Sequence, residues 1–184
     1  MAADKIRALI FLKFIGGNLK AGLLNMTQNY MGTIPRLTEE TGWAFMKVQH
    51  EMNMAMVDVM KSLYGNPKGI AARRHEIQAK RLKADEMRQL TRAKNNGLVG
   101  ANLTKELAGQ MPGAHGTALR ATSETLFWLF GATELFQRET AFVSAYRIGK
   151  LNKMGEEEAY QFAAKMVNQG HGQYGNLNLP PIGS

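Results

Sequence analysis

The 184-residue chain contains no cysteine. That absence excludes a disulfide framework, a thiolate nucleophile and a cysteine-ligated zinc site. Its four histidines, His50, His75, His115 and His171, show neither His-x-x-x-His nor Glu-x-x-His spacing, so no metal is expected. Carboxylates are few, 15 in all, and nothing in their spacing marks an acid/base pair. There is no Gly-x-Ser-x-Gly elbow and no Walker-type loop. The chain therefore reads as a non-enzyme without a cofactor or small-molecule substrate. Long hydrophobic runs are also missing. A membrane-spanning helix needs about 18 apolar residues, and Lys13, Asn18, Lys20, Asn25 and Gln28 interrupt the most apolar region. The short run Ala8–Ile15 is followed by Gly16-Gly17 and Asn18 with no small-x-small site, so no secretory signal is expected.

What is present suits one ordinary domain with a real core: 45% apolar residues and 21% charged. Methionine is abundant at 12 residues. The formal net charge is +8 and the sequence pI about 9.8, a balance that favours polyanions such as DNA, RNA or anionic lipid headgroups.

No alternating strand pattern and no internal repeat occurs, and the expected fold is all-α: long helices in a bundle or an elongated stack, with an extended C-terminal tail. Residues 1–37 read as a helical hairpin bent at Gly16-Gly17, with Pro35 making Ile34 extended and stopping the helix. Residues 38–111 carry Met-rich and basic helices. Thr38 is the expected N-cap of the Met-rich helix, with Glu39 and Glu40 in its first turn, and the helix runs to about Tyr64. The basic helix runs from Lys68 to Lys94 and stops at Asn95-Asn96-Gly97, and a short helix covers Leu103 to Met111. Residues 117–169 hold a helix from Thr117 to about Asn152 and a last helix, Glu156 to Asn168. Residues 170–184 form the tail, where Gly-rich surroundings predict a solvated His171; His115 sits in a similar loop.

The basic helix is the strongest physicochemical signal. It carries Lys68, Arg73, Arg74, Lys80, Arg81, Lys83, Arg88, Arg92 and Lys94 against Glu76, Asp85 and Glu86, nine minus three or +6 of the chain's +8. A broad cationic face of this kind suits phosphates without base selectivity, and no aromatic residue interleaves for base stacking. A solvated surface helix is the competing reading. In the Met-rich helix, Met52, Met56 and Met60 fall at i, i+4, i+8, while Met54 lies off that face. Apolar residues on more than one side suggest packing by several neighbours, other subunits among them. Residues 5–31, with Lys13 and Lys20 beside a bulky apolar face, could lie on a membrane surface, although a buried hairpin is the default. Glu156, Glu157 and Glu158 open a helix where its dipole favours them.

Three phrases carry a resemblance: GLLNMTQNYMGTIPRL (Gly22–Leu37), WLFGATELFQRETAFVSAYR (Trp128–Arg147) and GEEEAYQFAAKMVNQGHGQYGNLNLPP (Gly155–Pro181). In this order they resemble very large phage and prophage proteins, including polyvalent-protein-associated domains and internal virion or DNA-ejection proteins. Residues 51–114 have no counterpart there, and Gln137 stands where asparagine is expected, so a different polar contact is expected at that point. The resemblance implies a structural segment of a longer polypeptide, its core completed by flanking chain. It would sit in the virion interior and in the host cytoplasm during assembly, reach the host envelope after ejection, and have copies of itself, other virion proteins and DNA as partners. A nucleic-acid-binding module acting through residues 68–94, or the non-catalytic portion of a larger phage enzyme, are the alternatives. The resemblance assigns no catalytic residue.

Within the second phrase Glu134 and Arg138 stand at i, i+4 with Glu first, worth about 0.2–0.5 kcal/mol if exposed. Their apolar neighbours Phe130, Leu135, Phe142 and Val143 predict partial burial, where an unpaired Arg is costly. Glu134→Ala is accordingly expected to lower the melting temperature or change the oligomeric state. Unchanged values for both would make the pair a solvated surface bridge.

Overall fold

In the computed structural model, the described residues are 27–60, 78, 80–100 and 117–171, the last range with side chains from 131 onward. They hold five α-helices and one π-helical turn, and no strand. The fold is all-α. The helices are α1 (Ile34–Thr41), preceded by the π-turn Asn29–Thr33, then α2 (Phe45–Met60), α3 (Ala84–Asn95), α4 (Thr117–Leu151) and α5 (Glu156–His171). The chain divides into two compact units, residues 1–27 with 101–135, and 28–100 with 136–184. In the first, the described structure is essentially the opening part of α4. Everything below concerns the second.

The expected break at Pro35 does not occur. Ile34 is helical, φ −62° and ψ −49°, and its N–H reaches back to the Asn29 carbonyl, the wide spacing of a π-turn. That turn resets the helix phase, so Pro35 falls in the first turn of α1, where no amide hydrogen is needed. Thr38 is then not an N-cap. It lies inside α1, its carbonyl accepts the Gly42 N–H at 2.9 Å, and Gly42 closes the helix at φ +65°. α2 starts at Phe45, three residues further on.

The basic helix is also interrupted. Gln78, Lys80 and Arg81 are helical, but Lys83 is extended (φ −63°, ψ 157°) and α3 begins afresh at Ala84. Glu86 causes the restart. One of its oxygens accepts the Lys83 N–H at 3.1 Å, so it caps the new helix, and both oxygens bind Arg147 of α4 at 2.9 Å. Asp85 and Glu86 in the first turn and Arg92 and Lys94 in the last suit the dipole of this shorter helix. The stop at Asn96-Gly97 is where the sequence puts it, with Gly97 at φ +70°. α4 ends at Leu151, next to the expected Asn152, and a turn through Lys153 (φ +65°) leads to Glu156. α5 runs beyond Asn168, so Gly170 and His171 are helical rather than part of an extended tail.

α4 is the central helix of this unit. From Phe136 to Tyr146 every residue is buried, so no polar face exists for water. The core also holds Ile34 and Leu37 of α1, Val48, Met52, Ala55 and Val59 of α2, Leu90 and Ala93 of α3, and Ala159, Ala163, Met166 and Val167 of α5. Phe142 anchors the aromatic part of the core, edge-on to Tyr160 at 5.7 Å and stacked on Tyr146 at 6.4 Å. α4 and α5 approach closely at Gly149, where a Cβ would meet the Ala159 Cβ at 3.2 Å. The expected hairpin up to residue 26, the short helix Leu103–Met111 and the tail from residue 172 lie outside the described residues.

Because Glu86 both caps α3 and holds a largely buried guanidinium, Glu86→Ala is expected to cost about 3–5 kcal/mol, the usual penalty for stranding a buried charge. Urea denaturation measures this. A loss below about 1 kcal/mol would mean that Asp58 alone suffices for Arg147.

Candidate functional site

The most organised polar constellation lies at the C-terminal end of α5. The last carbonyls of an α-helix have no partner within it, and here side chains from elsewhere supply three. Arg36 donates to the Gln169 carbonyl, Gln28 Nε2 to that of Gly170 at 3.2 Å, and Arg138 Nη2 to that of His171 at 3.4 Å. Two of these donors are cations, which the negative end of the helix dipole favours. Arg138, only 2% exposed, also donates to the Leu98 carbonyl at 3.3 Å.

Asn29 sits at the centre. Its Nδ2 donates to the Gln137 carbonyl at 3.1 Å, which fixes Oδ1 as the acceptor. Thr33 Oγ1 donates to that oxygen at 3.1 Å, and His171 Nε2 lies 3.0 Å from it. Nε2 must therefore carry the hydrogen, leaving the lone pair on Nδ1. The packing is tight: a Cβ on Gly170 would come within 2.8 Å of Thr33 Oγ1. His171 is neither solvated nor in a loop. It is 3% exposed, and burial, with the nearby Arg138 charge, pushes its pKa down to about 4.

Two further clusters lie along α4. Glu139, fully buried, binds Lys94 Nζ at 2.9 Å and accepts from Gln78 Nε2 at 3.0 Å, while Lys94 also donates to Gln78 Oε1 at 2.8 Å. Arg147 bridges Glu86 and Asp58, the latter at 3.0 Å. Burial pulls its pKa down, but hydrogen bonds and charge from Glu86 and Asp58 outweigh that and raise it. The Tyr146 hydroxyl donates to Asp85 at 3.3 Å, and burial, then the Asp85 charge, lifts its pKa to about 12. Chemically these groups neutralise one another. Among the described residues no three His, Asp or Glu side chains gather in a way that could hold a metal.

The nine cations of the basic segment separate into distinct groups. Lys68, Arg73 and Arg74 lie outside the described residues. Lys80, Arg81 and Lys83 are exposed around the break before α3. Arg88 and Arg92 face α5: Arg88 Nε donates to Glu156 at 3.0 Å, and Arg92 forks onto Glu157 at 2.5 and 3.1 Å while lying 3.9 Å over the Tyr160 ring. These hydrogen bonds raise the pKa values of both arginines and lower that of Glu156, and Arg92 with Gln161 takes Glu157 down to about 2. Lys94 points inward to Glu139. Glu156 and Glu157, expected as helix-start residues, thus also tie α5 to α3. Glu134 is half-buried and Arg138 buried, as their apolar neighbours predicted.

His75 and His115 are outside the described residues, and His50 is exposed on α2. Of residues 5–31, only 27–31 are described, and among the described residues no helix is long and apolar enough to cross a membrane. Sequence reasoning missed Asn29, Thr33 and Glu139, and the Arg147–Glu86–Asp58 bridge. The polar run Gln137-Arg138-Glu139-Thr140, set between Leu135-Phe136 and Ala141-Phe142-Val143, was the one available signal. The substitution noted at Gln137 leaves the Asn29 contact intact, because a backbone carbonyl accepts it. No protein-family model, curated protein or solved structure matches the chain.

A depressed histidine pKa makes stability pH-dependent. Unfolded His171 takes up a proton near its ordinary 6.5, and the folded form resists until about 4. Its contribution is therefore complete above pH 6.5 and is lost as pH falls from there towards 4. The urea midpoint is expected to drop across that window in the wild type and to drop less in His171→Gln. Parallel profiles would remove His171 as the cause.

Proposed function

We propose that this chain is a non-enzymatic helical segment of a very large phage or prophage protein, a structural component of the virion interior that helps assemble an ejection or DNA-translocation complex. The observation that carries an assembly role is the outer face of α2. Val48, Met52, Ala55 and Val59 point into the core, yet Phe45, Met46, Met54 and Val57 are exposed, Met46 to 73%. A helix apolar on several sides is stable in a larger packed structure, and methionine adapts to the surface that covers it.

The resemblance supplies the phage context, and contacts among its phrases support it. Gln28, Asn29, Thr33 and Arg36 belong to the first phrase, Gln137 and Arg138 to the second, and Gln169, Gly170 and His171 to the third. These residues form one hydrogen-bonded group, buried at Asn29, Thr33, Gln137, Arg138 and His171. A non-catalytic role accords with the mutual pairing of Glu86, Glu139, Lys94 and Arg147.

Light scattering on the purified chain is expected to show self-association that rises with concentration. Met46→Glu combined with Met54→Glu should shift it to monomer with unchanged melting, since both side chains are exposed. A wild-type chain that stays monomeric at every concentration would sink the self-assembly reading. Mass spectrometry of purified particles tests the virion placement, and absence of its peptides would refute it.

A further inference from the structure

We infer that the last turn of α5 is an acid-released latch: protonation of His171 detaches Gln169, Gly170 and His171 from the π-turn, α1 and α4 while the rest of the unit stays folded. The apolar anchors of α5 end at Met166 and Val167. Beyond them the turn is held by polar contacts. Its carbonyls receive Arg36, Gln28 and Arg138, and the His171 ring donates to Asn29 Oδ1 at 3.0 Å. The fit against the π-turn leaves little slack. A Cβ on Gly32 would stand 3.5 Å from the Gly170 carbonyl oxygen, and one on Gly170 would stand 2.8 Å from Thr33 Oγ1.

The charged groups at this helix end are cations, Arg138 from α4 and Arg36 from α1. The π-turn contributes the neutral Asn29 and Thr33, and its Tyr30 hydroxyl is turned to Asn53 of α2. The nearby carboxylates are engaged elsewhere: Glu139, next to Arg138, binds Lys94, and Glu40 of α1 binds Lys165 of α5. A positive charge at a helix C-terminus is ordinarily favoured. Here Arg36 and Arg138 already occupy that end, and a protonated ring would add a third cation at a side chain only 3% exposed. Burial, then the Arg138 charge, holds the closed ring neutral down to about pH 4, whereas an opened ring takes its proton near 6.5. The open form therefore gains about tenfold per pH unit as pH falls from 6.5 towards 4. Arg138 keeps the Leu98 carbonyl when the turn leaves, and the Phe142 contacts with Tyr146 and Tyr160 do not involve the ring. Glu157, held at about 2, stays ionised across this window and is not the trigger.

The test is native-state hydrogen exchange of the full chain, read by NMR across that pH window and at low urea concentrations, with intrinsic exchange rates divided out. Amides of Gln169, Gly170 and His171 should exchange through an opening that grows about tenfold per pH unit and is insensitive to urea, because a single turn exposes little surface. Amides of Ala141, Phe142 and Val143 should exchange through a much rarer, urea-dependent opening. His171→Gln, whose side-chain amide can still donate to Asn29, should make the last-turn opening independent of pH. Asn29→Asp sets a carboxylate against Nε2, which holds the protonated ring in place and should flatten the rise. Circular dichroism checks that both variants are folded; if either is not, the urea dependence of the wild type decides. The inference is overturned if the last-turn amides share the urea dependence of Phe142 or do not respond to pH. An acid response that persists in His171→Gln, or stays as steep in Asn29→Asp as in the wild type, overturns it equally.

Discussion

Charge inside a helix buried on every side constrains the rest of this structure. α4 takes Arg138, Glu139 and Arg147 into the interior of its unit, where an unmatched charge costs several kcal/mol. Each must be met by a group that another element delivers at the right distance. Arg138 is met by the carbonyls of Leu98 and His171, Glu139 by Lys94 and Gln78, and Arg147 by Glu86 and Asp58. The positions of α2, α3, α5 and the π-turn are the positions from which those groups can reach.

Several local departures from simple helix rules follow from that demand. Glu86 is needed at Arg147, and once there its second role, capping the Lys83 N–H, starts a new helix where the basic pattern alone would continue. α5 extends to His171 because its last carbonyls are wanted by Gln28, Arg36 and Arg138. The π-turn brings Asn29 and Thr33 to the same place and lets Pro35 enter a helix without a clash. Hydrophobic burial around Phe142 and Tyr160 supplies the bulk of the driving force, but it is indifferent to register. The hydrogen-bonded groups choose the register.

The same pairing divides the molecule's chemistry into inner and outer parts. Inside, the ionisable groups Arg147, Glu86 and Asp58, and Glu139 and Lys94, pair with one another. Outside stand the apolar side chains of α2 and the cations before α3, two surfaces of different chemistry.

Much of the helical architecture was legible in the sequence. Glycine, asparagine and apolar spacing placed the bounds of α4, the start of α5 and the stop at Asn96-Gly97, because those features act within a few residues. The partial burial of Glu134 and the burial of Arg138 could be read from their apolar neighbours for the same reason. The rest needed the tertiary structure. Glu86 lies 61 residues from Arg147, and Asn29 lies 142 from His171. No local pattern reports such a pairing, and each one overrode a local expectation: a continuous basic helix, a proline stop, a solvated histidine. The chain's composition fixed that it would be helical and basic. Which of its charges would be paired inside was decided only when distant segments had to satisfy the polar groups of one buried helix.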